Sequence, residues 1–394
     1  MRGYTAKKGN RYYAVIYEGV DPATGKERRR WYSAGPRKAD AERMVTELVK
    51  RKNDGEYRPP DRITVSSYLT EKWLPAKRGQ LRPSTFDSYR RTIDLHVIPA
   101  IGGIPLQRLT PEDLDGLYTR LAEGRSGGHR GLAPKTIHLI HEMLHKALAD
   151  AVRKGSVIRN VAALADPPKL SSTKQRAMRV WDADQLRQFL DSIGQHRLHP
   201  AFCIGQHRLH PAFYLAANTG MRRGEVLGLR WRDVDLDARR LSVHQAVISV
   251  AYALQVADVK TGTSRRTIDL DPRTVAVLHS WRKRQLEERL ALGEQHEDHG
   301  LVFARPEGAP IHPDLFSKTF DRLVARSGLP VIRLHDLRHS HASLLLKSRV
   351  PVKVVSERLG HATPAFTMTV YQHVLPGMQA EAATTFADLL FGPE

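Results

Sequence analysis

A multidomain chain, mainly α-helical with small β-sheets, is what this sequence of 394 residues predicts. Three observations carry that prediction. Two breaks interrupt the chain, at Tyr57-Arg58-Pro59-Pro60 and across residues 166–176, where Pro, Ser and Lys replace any hydrophobic period. Apolar residues after each break recur mostly at helical spacing. Strand-like runs are confined to two zones, one near the start and one past the middle. The expected segments are therefore residues 1–58, 62–165, a linker at 166–178, and 179–394.

Charge limits what such a chain can do. It carries 62 Lys and Arg against 42 Asp and Glu, a formal charge of +20, and so calls for a polyanionic partner. Modest hydrophobicity with no long apolar run excludes a membrane span. Cys203 is the single cysteine, so no disulfide forms within the chain; with no charged and apolar leader visible, a reducing cytoplasm is the expected compartment.

The first segment reads as a small sheet backed by a helix. Arg11-Tyr12-Tyr13-Ala14-Val15-Ile16-Tyr17 is β-rich, Asp21-Pro22-Ala23-Thr24-Gly25 turns the chain, and residues 28–33 return as a strand with Trp31 and Tyr32. Residues 38–52 then set Ala41, Met44, Val45 and Leu48 on one helical side. Residues 1–58 hold 15 Lys and Arg against 8 Asp and Glu. Arginines and aromatics on short strands can lay a basic face on DNA, with Arg28, Arg29 and Arg30 as the candidate contacts. A solubilising basic module is the plainer alternative.

The second segment is helical. Its helices are expected near residues 65–74, after Arg82-Pro83-Ser84, after Thr110-Pro111-Glu112, and from Ala133-Pro134 to about Lys154, three of them opened by a proline at the first helical position. Between the last two lies a Gly-rich basic loop, 123–131, whose Arg125 and Arg130 are further candidate DNA contacts.

The last segment opens with Asp182-x-x-Gln185, which has the form of a capping box. Residues 193–203 then recur as 204–214, identical at ten of eleven positions. Two short copies cannot make a solenoid, so this is a tandem duplication with one copy inserted. Its histidines lack carboxylate or thiol partners apart from Cys203, which argues against a metal site. A loop absorbs such an insertion at small entropic cost; a displaced helix would spoil the box of residues 219–225 just after it. Strands near residues 241–244, Leu254 and 266–270 are expected to form one three-stranded sheet, followed by helices from Asp271-Pro272, from Pro313 and from Leu334. Residues 378–390 form an Ala-rich amphipathic stretch.

Residues 334–374 carry the chemistry. His335, Arg338 and His339 stand at i, i+3 and i+4, on one face of a helix whose other face shows Leu334, Leu337, Leu344 and Leu345. A guanidinium matches phosphate oxygens, and an imidazole can donate or move a proton near neutral pH. Leu359-Gly360-His361 reads as a helix end, and ten residues on stands Tyr371, a phenol that is a poor nucleophile unless cations favour its anion. Two histidines at i and i+4 also imitate a zinc-protease helix. There the general base would be Glu rather than Asp336, and Arg338 would sit beside the metal, so no metal is assigned.

His335-x-x-Arg338, Leu359-Gly360-His361 and Tyr371-x-His373 resemble the second signature box of the tyrosine recombinases, the phage integrase family. Thr219-Gly220-Met221-Arg222-Arg223-Gly224-Glu225 resembles the first box, and Lys260 matches the family's lysine on a β-hairpin turn. The resemblance implies an arm-site DNA-binding domain at 1–58, a helical core-binding (SAM-like) domain at 62–165 and a mixed, mostly α catalytic domain at 179–394. It implies a DNA recombinase in which Tyr371 attacks a phosphodiester and is joined to the 3′-phosphate. Arg222 and Arg338 clamp the phosphate, Lys260 protonates the leaving 5′ oxygen, His335 assists as base or phosphate ligand, His361 donates, and Glu225 orients Arg222. No cofactor is expected. Double-stranded attachment-site DNA is the implied partner, bound by a homotetramer, with room for an accessory DNA-bending or directionality factor. Two alternatives stay open: a DNA-binding remnant that has lost cleavage, and a type IB topoisomerase-like enzyme.

Overall fold

The structure, a computed structural model, describes every residue except 1–2, 22–23, 55–60, 125–130, 171–178, 195–206, 259–264, 372–385, 387 and 393–394. The chain forms two compact units, Met1–Gln175 and Arg176–Glu394.

In the first unit, β1 (Gly3–Lys8), β2 (Arg11–Val20) and β3 (Glu27–Gly35) make an antiparallel sheet in that order. Its central strand buries Ala14, Val15 and Ile16, small and β-branched residues that suit a pleat covered by a helix. That helix is α1 (Lys38–Asn53), which packs on all three strands.

Four helices follow. Helix α2 spans 65–77, α3 spans 83–101, α4 is Pro111–Glu123 and α5 is Pro134–Arg153. Proline opens α3, α4 and α5, where the missing N–H costs nothing. Thr110 caps α4 by accepting from the Asp113 N–H while Asp113 accepts from the Thr110 N–H. Inside α2 and α3 the same residue type acts differently. Tyr68–Trp73 and Ile93–Val97 are wide π-helical turns, and each runs directly into a turn holding a proline, Pro75 or Pro99. A proline has no N–H for the carbonyl four residues back, and the preceding turn widens. The module's core joins Trp73, Ile93, Leu114, Leu117, Ile137 and Leu144.

The second unit begins with α6 (Ala183–Gly194), after a reciprocal pair in which Gln185 N–H donates to Asp182 and Asp182 N–H to the Gln185 side chain. Helices α7 (His210–Thr219) and α8 (Arg223–Leu227) come next. The strands are β4 (Val234–Asp235), β5 (Arg240–Val243), β6 (Gln245–Val250), β7 (Ala253–Asp258) and β8 (Arg266–Asp269). Helices α9 (Pro272–Leu292), α10 (Pro313–Ser327), α11 (Leu334–Lys347), α12 (Val352–Leu359) and α13 (Pro364–Tyr371) complete it. Five aromatic residues, Trp181, Phe189, Phe213, Phe316 and Phe320, tie α6, α7 and α10 together, with Phe213 stacked on Phe316 at 4.6 Å.

The expected three-stranded sheet is built differently. Its order is β4-β5-β8, and the strand near Leu254 pairs instead with β6 in a separate two-stranded ribbon. The cause is local: Ala251 and Tyr252 both have positive φ, 49° and 65°, which makes a tight hairpin and binds β7 to the strand just before it. The sequence shows no Asn-Gly pair there to announce the turn.

The duplication is handled at its stem. Helix α6 ends at Gly194, and His207 donates its N–H to the Ile193 carbonyl at 3.1 Å. With residues 195–205 removed, Ile193 and His207 would stand three positions apart, the spacing of an ordinary turn bond. The second copy supplies the start of α7 and buries Phe213, so α7 is not displaced from the core. The amphipathic stretch at 378–390 falls largely outside the described residues; Phe386, Leu389 and Leu390 are exposed. No helix among the described residues is long and apolar enough to cross a membrane.

Candidate active site

Two helix ends and one buried helix face build the site. Helix α7 stops at Gly220, whose φ of +64° favours glycine, and a Cβ there would lie 2.7 Å from Leu359 and 2.8 Å from His341. Its carbonyl accepts from Arg338 Nη1 at 2.7 Å. Arg338 lies on the inner face of α11 and is 4 % exposed.

Arg222 stands before α8. Its N–H donates to Glu225 Oε2 at 2.9 Å, its Nη1 to Oε1 at 2.7 Å, and its Nη2 to the Gly360 carbonyl at 2.9 Å. Gly360 ends α12 with φ +69°, so the two guanidiniums each hold the carbonyl of a left-handed glycine. The next residue is His361, whose Nδ1 is fixed by the Thr367 hydroxyl at 2.8 Å.

Beneath them lie two arginines that the motifs do not mark. Arg266 donates from Nη2 to Glu225 Oε2 at 2.9 Å and from Nε to the Arg358 carbonyl at 2.7 Å. Arg358 donates to the Asn218 carbonyl at 3.0 Å and to His341 Nε2 at 3.2 Å. The end of α7, the start of α8, strand β8 and helix α12 are thereby joined by guanidiniums.

Tyr371 ends α13. It is 1 % exposed and packs with Ala342, Leu346, Val355 and Leu359. Its hydroxyl lies 2.7 Å from His339 Nδ1, and the His335 and His339 rings meet edge-on at 4.9 Å.

The electrostatics all point one way. Burial lowers the Arg338 guanidinium to about 9, and Arg222 adds to the effect. Burial lowers His361 to about 3, with Arg338 and Arg222 repelling a further proton. Burial and then His335 lower His339 to about 4, while burial and then Arg338 lower His335. Tyr371 is pushed up to about 12 by burial, against the opposing pull of Arg338. Glu225 ends below its usual value, because bonding and charge from Arg266 and the charge of Arg222 outweigh the burial that raises it. Burial first, and then the surrounding cations, keep the histidines of this pocket neutral, and the cations favour an anion.

The structure brings Arg222, Glu225, Arg338 and His361 into one electrostatically coupled cluster and sets both Tyr371 and His335 against His339. Lys260 lies outside the described residues, as do Arg125, Arg130 and His373. Arg28 and Arg29 are exposed and Arg30 is half-buried on β3, and they pair with Asp21, Glu27 and Glu18 respectively. His339 was visible as a neighbour on the helix face, but its partner is 32 residues away. Arg266 and Arg358 had no local signal, since their partners lie 17 to 140 residues distant.

Residues 179–377 match the model of the family described as phage integrase family, and residues 66–122 match its N-terminal SAM-like domain. The chain belongs to the phage integrase family. It is a tyrosine recombinase, an enzyme of site-specific DNA recombination. The ICEBs1 integrase of Bacillus subtilis (strain 168) is 28 % identical over 384 residues, covering 97 % of this chain and 98 % of the relative. Two solved structures share the fold. The Tn1549 transposon integrase in complex with circular intermediate DNA has a TM-score of 0.65 at 18 % identity, covering 82 % of this chain and 99 % of its own. A lambda integrase tetramer bound to a Holliday junction has a TM-score of 0.55 at 19 % identity, covering 91 % and 92 %.

Proposed function

We propose that this recombinase cleaves and rejoins DNA through a covalent link between Tyr371 and a 3′-phosphate, with neither metal nor ATP. The observation that carries the proposal is the buried phenol of Tyr371 beside a cluster of guanidiniums richer in charge than its single carboxylate can balance. Phosphoryl transfer needs an aligned nucleophile, cations on the non-bridging oxygens and a proton for the leaving oxygen. Tyr371 is the nucleophile. Arg222 and Arg338 take the oxygens, with His361 and His335 as added donors, and Glu225 holds the Arg222 fork in place. Lys260 protonates the departing 5′ oxygen. Because the phosphotyrosine keeps the bond energy, a 5′-hydroxyl from another strand can replace the first.

Residues 1–58 serve as the arm-type DNA-binding domain, 62–165 as the core-binding domain, 166–178 as the linker and 179–394 as the catalytic domain. Arg28, Arg29 and Arg30 leave their carboxylate partners for phosphate, an exchange that is easiest at Arg29, whose pair with Glu27 is exposed on both sides and so worth little. The working assembly is a homotetramer on double-stranded attachment sites in the cytoplasm, as the fold shared with a DNA-bound tetramer supports. The test is strand transfer between two duplexes carrying the attachment site, in EDTA, by the wild type and Tyr371→Phe. Joined strands from the wild type alone are expected. Relaxation of supercoiled DNA without transfer would give a topoisomerase, and specific binding without cleavage a remnant.

A further inference from the structure

The family motif puts one histidine, His335, in the role of proton carrier for the tyrosine. The geometry places another nearer. We propose that His339, through Nδ1, is the catalytic base that takes the proton from Tyr371. The assignment rests on Tyr371 being the nucleophile proposed above.

Distance and direction support it. His339 Nδ1 lies 2.7 Å from the Tyr371 oxygen, the atom that attacks phosphorus, and no other side chain among the described residues is hydrogen-bonded to that oxygen. A phenol O–H is a better donor than an imidazole N–H and an imidazole nitrogen the better acceptor, so the bond runs from Tyr371 to an unprotonated Nδ1 with the ring's proton on Nε2. His335 touches His339 edge-on at 4.9 Å and so supports the ring rather than the hydroxyl.

The charges around the ring suit a base that is empty at rest. His335, Asp336 and Arg338 face it from its own helix, Arg333 from the residue just before that helix, Tyr371 from α13 and His361 from the turn after α12. Burial and the neighbouring cations keep His339 neutral, ready to accept. Entry of a phosphate anion beside Arg338 and Arg222 raises the ring's affinity for a proton at the moment the proton is released.

The balance closes in both directions. During cleavage the Tyr371 O–H bond breaks as the oxygen–phosphorus bond forms, the proton moves to His339 Nδ1, and the bond to the 5′ oxygen breaks as that oxygen receives a proton from Lys260. During joining a 5′-hydroxyl attacks phosphorus and returns its proton to Lys260, while the departing Tyr371 oxygen recovers its own from His339.

The test uses the full-length chain. Duplexes are drawn from a random-sequence pool by SDS-stable capture on the wild type, with Tyr371→Phe as the control. No capture, or equal capture by the control, overturns the nucleophile reading and this assignment with it. On captured duplexes His339→Asn, which keeps an acceptor near Nδ1 but cannot take a proton, is expected to cleave about 100-fold or more slowly while binding the same DNA. It is also expected to lose the fall in rate that the wild type shows as pH drops, and to gain nothing from a 5′-bridging phosphorothiolate, whose sulfur leaves without a proton. Wild-type rate and pH profile in His339→Asn overturn the assignment, and so does full rescue by the phosphorothiolate. A second measurement needs no variant at position 339: ¹⁵N resonances of the wild-type chain should show His339 Nδ1 unprotonated and shifted in Tyr371→Phe. A protonated Nδ1 overturns the assignment.

Discussion

The helical module and the second unit both bury charge, on opposite terms. In the module the Asp150 carboxylate accepts from the Trp73 indole at 3.0 Å and pairs with Lys77 at 2.7 Å and with Arg153. Burial raises that carboxyl, and Lys77 and Trp73 more than offset it, so it ends below its usual value. In the second unit Glu225 bonds Arg222 and Arg266, while Arg338 and Arg358 are held by backbone carbonyls and pair with no carboxylate among the described residues. Buried charge costs several kcal/mol unless it is paired. A buried carboxylate that serves only the module's core is paired with cations. The second unit leaves cations over, and Arg338, lowered first by burial and then by Arg222, registers that cost.

Substitutions should separate the two cases. Arg338→Met is expected to slow cleavage by about 100-fold or more, since a clamp on the developing charge is lost, yet to melt no lower than the wild type. A melting point well below it would place Arg338 among the structural pairs. Asp150→Ala should do the reverse, costing about 3 kcal/mol of stability by stranding Lys77 while leaving the rate of cleavage on bound DNA unchanged; denaturant unfolding of the module reads it. Arg266→Gln is expected to slow cleavage about tenfold by loosening Glu225, on the scale of a positioning group, with DNA affinity unchanged.

Acid distinguishes the units less sharply. His339, His341 and His361 are neutral when folded, at about 4, 3 and 3, each lowered first by burial. The unfolded chain takes up protons near 6.5, so their stabilisation is complete above that pH and is lost as pH falls towards 4, by up to about 1.4 kcal/mol per pH unit for each ring. In the module His141 is lowered as well, first by burial, and Asp150 yields only below the carboxylate range. Hydrogen exchange across that interval should open the second unit first. The smallest effect is expected from deleting residues 195–205. The stem bond between His207 and Ile193 is already that of a turn, and loop closure changes by about 0.6 kcal/mol per doubling of length. Loss of cleavage in the deletion would mean that the extra copy has a role.

The sequence announced most of what depends on neighbours in the chain. Pro83, Pro111 and Pro134 marked helix starts, Gly360 a helix end, and the spacing of His335, Arg338 and His339 a shared face. Contacts between distant segments stayed silent. Nothing near Arg266 reveals Glu225, and nothing near Tyr371 reveals His339. The ribbon of β6 and β7 was missed because Ala251 and Tyr252 adopt positive φ without the residue types that usually signal it.

The most direct test of the whole account is to digest the SDS-stable adduct formed in EDTA with DNA captured by the wild type, and to identify the residue that carries the nucleotide. The account predicts a 3′-phosphodiester on Tyr371. A nucleotide on any other side chain, or an adduct that needs a divalent cation, would contradict it.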